Sequence, residues 1–182
     1  TIGDIFSSIL SKNDIHTSVV KGYLLPKTVD SNTLVVTTSI SGNTVETLTV
    51  LESSLKTGAK IIALSSGGKM EDIASKNNKI SYFKINQIHS PRASLFGFLY
   101  STLNILQRFI PIKKSDVEES IVQLEKLQKQ ISTSNLTDEN PALCLAKWIN
   151  NTPLIYYPAG LQAVALRFKN SLQENAKFHV IT

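Results

Sequence analysis

Along this chain, short β-branched apolar runs alternate with segments whose apolar residues recur every three or four positions. The first rhythm reads as buried strand, the second as amphipathic helix. "IGDIFSSILSK" has the helical rhythm through Ile5, Ile9 and Leu10, with Thr1 placed to cap it. "TSVVKG" and "NTLVVTTS" read as strands. Residues 43–57 predict a helix with Val45, Leu48, Leu51 and Leu55 on one face, ended by Gly58. "KIIALS" is a buried strand, "SGGKMEDIASK" a turn and short helix, and "KISYFKI" another strand. Ser90 and Pro91 open a long helix with an apolar stripe of Leu95, Phe98, Leu99, Thr102, Leu106 and Phe109.

Strand–helix alternation with continuously apolar strands predicts an α/β fold, a parallel sheet flanked by helices on both faces. This first domain is expected over residues 1–110, closed by Pro111. A helical linker follows over 111–139, with capping-box spacing at Ser115 and Glu118 and a helix carrying Val117, Ile121, Leu124 and Ile131. It ends in the polar stretch "STSNLTDENP". The pattern then restarts over 140–182 with "PALCLAKWI" as helix, "TPLIYYPAG" as strand and turn, and "LQAVALRFKNSLQENAK" as helix. "FHVIT" opens one more strand. One βα unit cannot close its own hydrophobic core. The sequence starts without Met, and it is expected to be part of a polypeptide of roughly 300 residues.

Composition narrows the class. Of 182 residues, 42% are apolar and 18% charged, enough for a substantial core. No apolar run approaches the roughly 20 residues of a membrane helix. The single cysteine, Cys144, excludes an internal disulfide and fits a cytoplasmic, reducing compartment. The net charge of +5 is spread over scattered lysines, which suits small anions better than nucleic acid. His16, His89 and His179 are far apart and show no metal-ligand spacing, so no metal is expected.

The chemistry concentrates in three segments. "SISGNTVETL", residues 39–48, joins the C-terminal end of a predicted strand to a helix N-terminus, where ligands of open α/β sheets bind. Unpaired helix N–H groups and the dipole there favour phosphate. Ser39, Ser41, Asn43 and Thr44 add side-chain donors, and Gly42 allows close backbone approach. The same residue types equally serve to cap a helix and turn the chain. "SSGGKM" lacks the spacing of a phosphate-binding Walker loop, and Met70 stands where Ser or Thr would hold magnesium, so it reads as a turn. Arg92, in the first turn of a helix, opposes the dipole, which invites an anionic ligand or a neighbouring carboxylate. Arg167, Asn170 and Glu174 fall at i, i+3 and i+7 on one helix face, opposite Leu161, Val164, Phe168 and Leu172. A carboxylate so placed suits a general base, or a solvated face.

Taken together, the segments resemble a known family. "SISGNTVETL" is similar to the S-x-S-G-N-T-x-E-T pattern of sugar isomerase (SIS) domains. "SPRASLFGFLY" and "TPLIYYPAGLQAVALRFKNSLQENAK", in that order, resemble the bifunctional phosphoglucose/phosphomannose isomerases. The R-x-K-N-x-x-x-E-N-A-K pattern at the end is the more specific of these signals.

The resemblance implies two SIS domains per subunit, a homodimer, and interconversion of glucose 6-phosphate and mannose 6-phosphate with fructose 6-phosphate, without a cofactor. It implies phosphate binding by Ser39, Ser41 and Thr44, supported by Gly42 and Asn43. Arg92 falls on the arginine that steadies the enediolate, and Glu174 on the base that moves the proton. The family's first strand and G-x-G-G-S stretch would precede Thr1, and its ring-opening histidine, from the partner subunit, would lie beyond this sequence. The alternatives are a non-catalytic SIS module that senses a sugar phosphate, and an aminosugar-phosphate isomerase or amidotransferase half. A sensor of the transcription-regulator kind would carry a basic recognition helix, and none is legible here.

Overall fold

A computed structural model describes residues 2–182; the predicted cap at Thr1 lies outside the described residues. The chain divides into two compact units. One is Ser18–Leu106, and the other joins the N-terminal residues up to Thr17 with Gln107–Thr182.

The unit Ser18–Leu106 is built on three parallel strands in the order β1 (Leu34–Ser39), β2 (Lys60–Ser65) and β3 (Ile80–Lys84). Helix α2 (Val45–Ser54) connects the first two strands and α3 (Gly68–Ser75) the last two. Right-handed crossovers in sequential strand order put both helices on one face of the sheet. Strand alternation supplies that face with Val35, Ile61, Ala63 and Ile80, and they are buried with Leu51, Met70 and Ala74 from the helices. Leu48 and Leu55 of the predicted α2 stripe pack on this core, whereas Val45, at the first helical position, is 61% exposed. Leu64, which alternation turns to the opposite face, is also fully buried. Parallel pairing runs from Leu34↔Lys60 to Ser39↔Ser65, so β1 and β2 end level with one another. That level ending brings two loops side by side.

Other expectations fare differently in this unit. "TSVVKG" forms no strand, because no strand pairs with it and an isolated extended segment leaves its N–H and C=O groups to water. Ser90 and Pro91 do start a helix, first as a 3-10 turn over Pro91–Ser94 and then as α4 (Leu95–Ile105). Phe98, Thr102 and Leu106 are buried as predicted, the Thr102 hydroxyl donating to the Phe98 carbonyl at 2.6 Å. Phe109 lies beyond the helix end and is exposed.

In the second unit, α1 (Ile2–Leu10) packs against α7 (Gln162–Ser171). Phe6 and Leu10 are buried on the first helix, Ala163 and Ala165 on the second. The larger residues Leu161, Val164 and Phe168 are exposed, so α7 buries its small residues and not the predicted apolar stripe. Helix α5 (Lys114–Gln130) begins one residue before Ser115, which moves the reciprocal contact: the Lys113 N–H donates to Asp116 Oδ2 at 3.0 Å. The expected Ser115/Glu118 box is therefore replaced. Glu118 instead faces Lys114 across 3.5 Å. Helix α6 (Pro141–Trp148) starts on a full cap, the Asn140 Oδ1 accepting from the Ala142 and Leu143 N–H groups. The strands expected at "TPLIYYPAG" and "FHVIT" reduce to one parallel bridge between Leu154 and Ile181. With no third segment among the described residues to extend the ladder, pairing stops after two hydrogen bonds.

Candidate functional site

The loop after β1 tightens at Gly42, whose φ of 67° lies in the left-handed region. Its N–H donates to Ser39 Oγ at 3.1 Å, and the Ser39 hydroxyl in turn pairs with the Thr44 hydroxyl at 2.9 Å. Thr44 occupies the N-cap position of α2 but makes no side-chain cap to that helix. Its hydroxyl is turned back to the strand end, so the expected capping role is not the one this residue plays. The first turn of α2 thus keeps the positive end of its dipole free of an N-cap side chain. Ser41, Asn43 and Thr44 are exposed around this helix start, while Ser39 is buried beneath it. Glu46 lies in the same first turn, and the Tyr23 hydroxyl donates to its Oε1 at 3.2 Å. That hydrogen bond, followed by the carboxylate's charge, raises the Tyr23 pKa above the ordinary phenol value. The 39–44 loop itself is an uncharged concentration of donors, suited to an anion with several oxygens.

Sequence reasoning missed the neighbouring loop after β2. Ser65, fully buried, donates to the Gly67 carbonyl at 2.8 Å and pairs with the Tyr82 hydroxyl at 2.9 Å. Gly67 is thereby held against Gly42: a Cβ on Gly42 would stand 1.7 Å from the Gly67 oxygen. Gly68 is equally tight, its Cβ position being 2.4 Å from the Ser41 carbonyl oxygen. No residue pattern announces this contact: it follows from the register that pairs Ser39 with Ser65, ends the two strands level and sets their loops side by side.

Arg92 sits in the 3-10 turn before α4, exposed, in the same compact unit as the loop. Glu174 belongs to the other unit. There α7 does not continue as an α-helix; residues Leu172–Ala176 widen into a π-helical turn. The predicted shared face of Arg167, Asn170 and Glu174 assumed 3.6 residues per turn throughout, and the widening rotates Glu174 away from that register. Arg167 and Asn170 are partly buried, and Glu174 is exposed. Lys177 ends the turn in the left-handed region at φ 56°, its Nζ donating to the Glu174 carbonyl oxygen at 2.8 Å. Among the described residues, no group of three or more His, Cys, Asp or Glu side chains is arranged to hold a metal ion. No helix of the described residues is long and apolar enough to cross a membrane.

Comparison with known proteins agrees with the motifs. Residues 138–182 match the family model of the bacterial phospho-glucose isomerase C-terminal SIS domain. A bifunctional phosphoglucose/phosphomannose isomerase of Caldicellulosiruptor bescii is 35% identical over 180 residues, covering 93% of this chain and 51% of that protein. One from Thermoplasma acidophilum is also 35% identical, over 175 residues, covering 96% of this chain and 52% of that protein. A D-glucosamine-6-phosphate 4-epimerase of Sulfolobus acidocaldarius is 30% identical over 154 residues, 82% of this chain and 46% of that protein. The chain spans about half the length of the curated relatives it matches. Over the half of those proteins that it spans, the chain is similar to bifunctional phosphoglucose/phosphomannose isomerases, and its residues 138–182 are similar to a SIS domain.

Proposed function

We propose that this chain is the part of an aldose–ketose isomerase that binds the substrate phosphate and carries the proton-transferring base. The substrates are glucose 6-phosphate and mannose 6-phosphate, interconverted with fructose 6-phosphate. The observation that carries this reading is similarity over 93% of the chain to a protein named for both isomerisations. Ser39, Ser41 and Thr44, with Gly42 and Asn43 in support, receive the phosphate at the start of α2. Docking there fixes the far end of the sugar, so that remote binding energy positions C1 and C2 for reaction. Glu174 takes the proton from C2 of the aldose, leaving an enediolate, and returns it to C1 while the hydroxyl proton passes from O2 to O1, which gives the ketose. The Arg92 guanidinium offsets the negative charge that develops on the two oxygens. The isomerisation oxidises C2 as it reduces C1, so it needs no outside oxidant or reductant and no cofactor.

The reading extends to a cytoplasmic homodimer. It includes a domain order of 1–110, 111–139 and 140–182, with the first SIS domain followed by a linker and the start of a second. It is tested by a coupled assay of the full-length protein with glucose 6-phosphate and, separately, mannose 6-phosphate. Conversion of both to fructose 6-phosphate is expected. Saturable binding with no conversion of either would replace the isomerase with a sugar-phosphate sensor.

A further inference from the structure

We propose that the loop Ser65–Lys69 is a positioning element of the phosphate site, and that Asn43 is the positioning residue through which it acts. The inference rests on the reading that the 39–44 loop receives a phosphate.

A loop that binds an anion must present N–H and hydroxyl groups and keep its carbonyl oxygens turned elsewhere. Three consecutive carbonyls, of Ile40, Ser41 and Gly42, are each engaged by a donor. The Ile40 oxygen accepts from the Ser66 N–H at 2.9 Å, and the Gly42 oxygen from the Met70 N–H at 3.0 Å. The Ser41 oxygen accepts from Asn43 Nδ2 at 3.2 Å. Asn43 Oδ1 accepts from the Lys69 N–H at 3.1 Å, so one amide side chain ties Ser41 to the second loop. Only one orientation of that amide satisfies both partners. Gly68 permits the approach, since a Cβ there would also stand 2.9 Å from the Asn43 amide atoms.

The second loop is braced from below. Ser65 Oγ holds the Gly67 carbonyl and accepts from the Gly67 N–H at 3.3 Å, and Tyr82 backs Ser65 from β3. The two loops thus form one clasp. Its effect is electrostatic: it commits the negative ends of three peptide dipoles to protein donors and leaves the uncapped N–H groups at the start of α2, residues 44–47, for the ligand.

The test measures KM, kcat, inorganic phosphate inhibition and thermal midpoint for Asn43→Ala, Asn43→Asp and Ser41→Ala in the full-length protein. Asn43→Ala should raise KM for the sugar phosphate and the inhibition constant for inorganic phosphate together, by about tenfold, with kcat falling less. Its thermal midpoint should move little, because the Asn43 side chain is exposed. Asn43→Asp keeps the acceptor for Lys69, loses the donor to Ser41 and adds a negative charge, so its KM should rise further. If Ser41→Ala weakens phosphate binding while both Asn43 variants bind as wild type, the clasp has no positioning role and the proposal is overturned. If neither Ser41→Ala nor the Asn43 variants change phosphate binding, the docking assignment of the loop fails, and the clasp with it.

Discussion

Replacing Glu174 by glutamine is expected to reduce isomerisation by ~10²–10⁴-fold, the range a positioned general base supplies. Sugar-phosphate affinity should stay within a few-fold of wild type. The two readouts separate because the phosphate is assigned to residues 39–44, in the other compact unit. The exchange is also structurally mild. Glu174 is exposed, its turn is closed by the Lys177 N–H donating to the Leu172 carbonyl, and Lys177 Nζ reaches the Glu174 backbone carbonyl, both of which glutamine retains. Kinetics of the purified variant, with affinity measured by calorimetry against fructose 6-phosphate, check both halves. Near-normal turnover would remove Glu174 from the base position. Parallel loss of binding and turnover would make it a substrate ligand.

Gly42→Ala carries the second large effect, this time on both folding and binding. The left-handed φ costs an L-residue about 1–2 kcal/mol. The added methyl collides with the Gly67 oxygen, which Ser65 holds in place, and overpacking of this kind costs about 1–3 kcal/mol. Together they amount to ~2–5 kcal/mol, enough to lower the thermal midpoint by roughly 5–15 °C for a chain of this size. The displacement also separates the two loops, so phosphate affinity should fall by more than about tenfold. Gly160→Ala is the control: Gly160 has φ 90° but open space around its Cβ position, so only the conformational cost applies. Equal midpoints for the two variants would mean that the Gly42–Gly67 contact yields without cost.

The parts of this fold that were legible in the sequence are those fixed by periodicity and burial. The Leu48, Leu51 and Leu55 spacing marked α2, and the β-branched run "NTLVVTTS" and the apolar run "KIIALS" marked two strands that pair in register. "TSVVKG" misled because β-branched residues favour a strand only where a neighbour can complete its hydrogen bonds. On α7, hydrophobicity pointed to Leu161, Val164 and Phe168, whereas the packed side is the one whose small alanines allow α1 to approach. The donor-rich loop at 39–44 was legible from its residue types. Its dependence on Ser65–Lys69 was not, because that depends on two loops meeting at the end of adjacent strands. The π-helical turn under Glu174 likewise left no periodic trace, since one inserted residue per turn is a backbone event that residue types do not announce.

The most direct test of the account is to follow backbone amide resonances of the full-length protein during titration with fructose 6-phosphate, and separately with fructose. The phosphate ester is expected to bind and to shift the amides of Gly42 through Thr47, with free fructose leaving them unmoved. Binding of fructose 6-phosphate that shifts amides elsewhere and leaves residues 39–47 unchanged would contradict it.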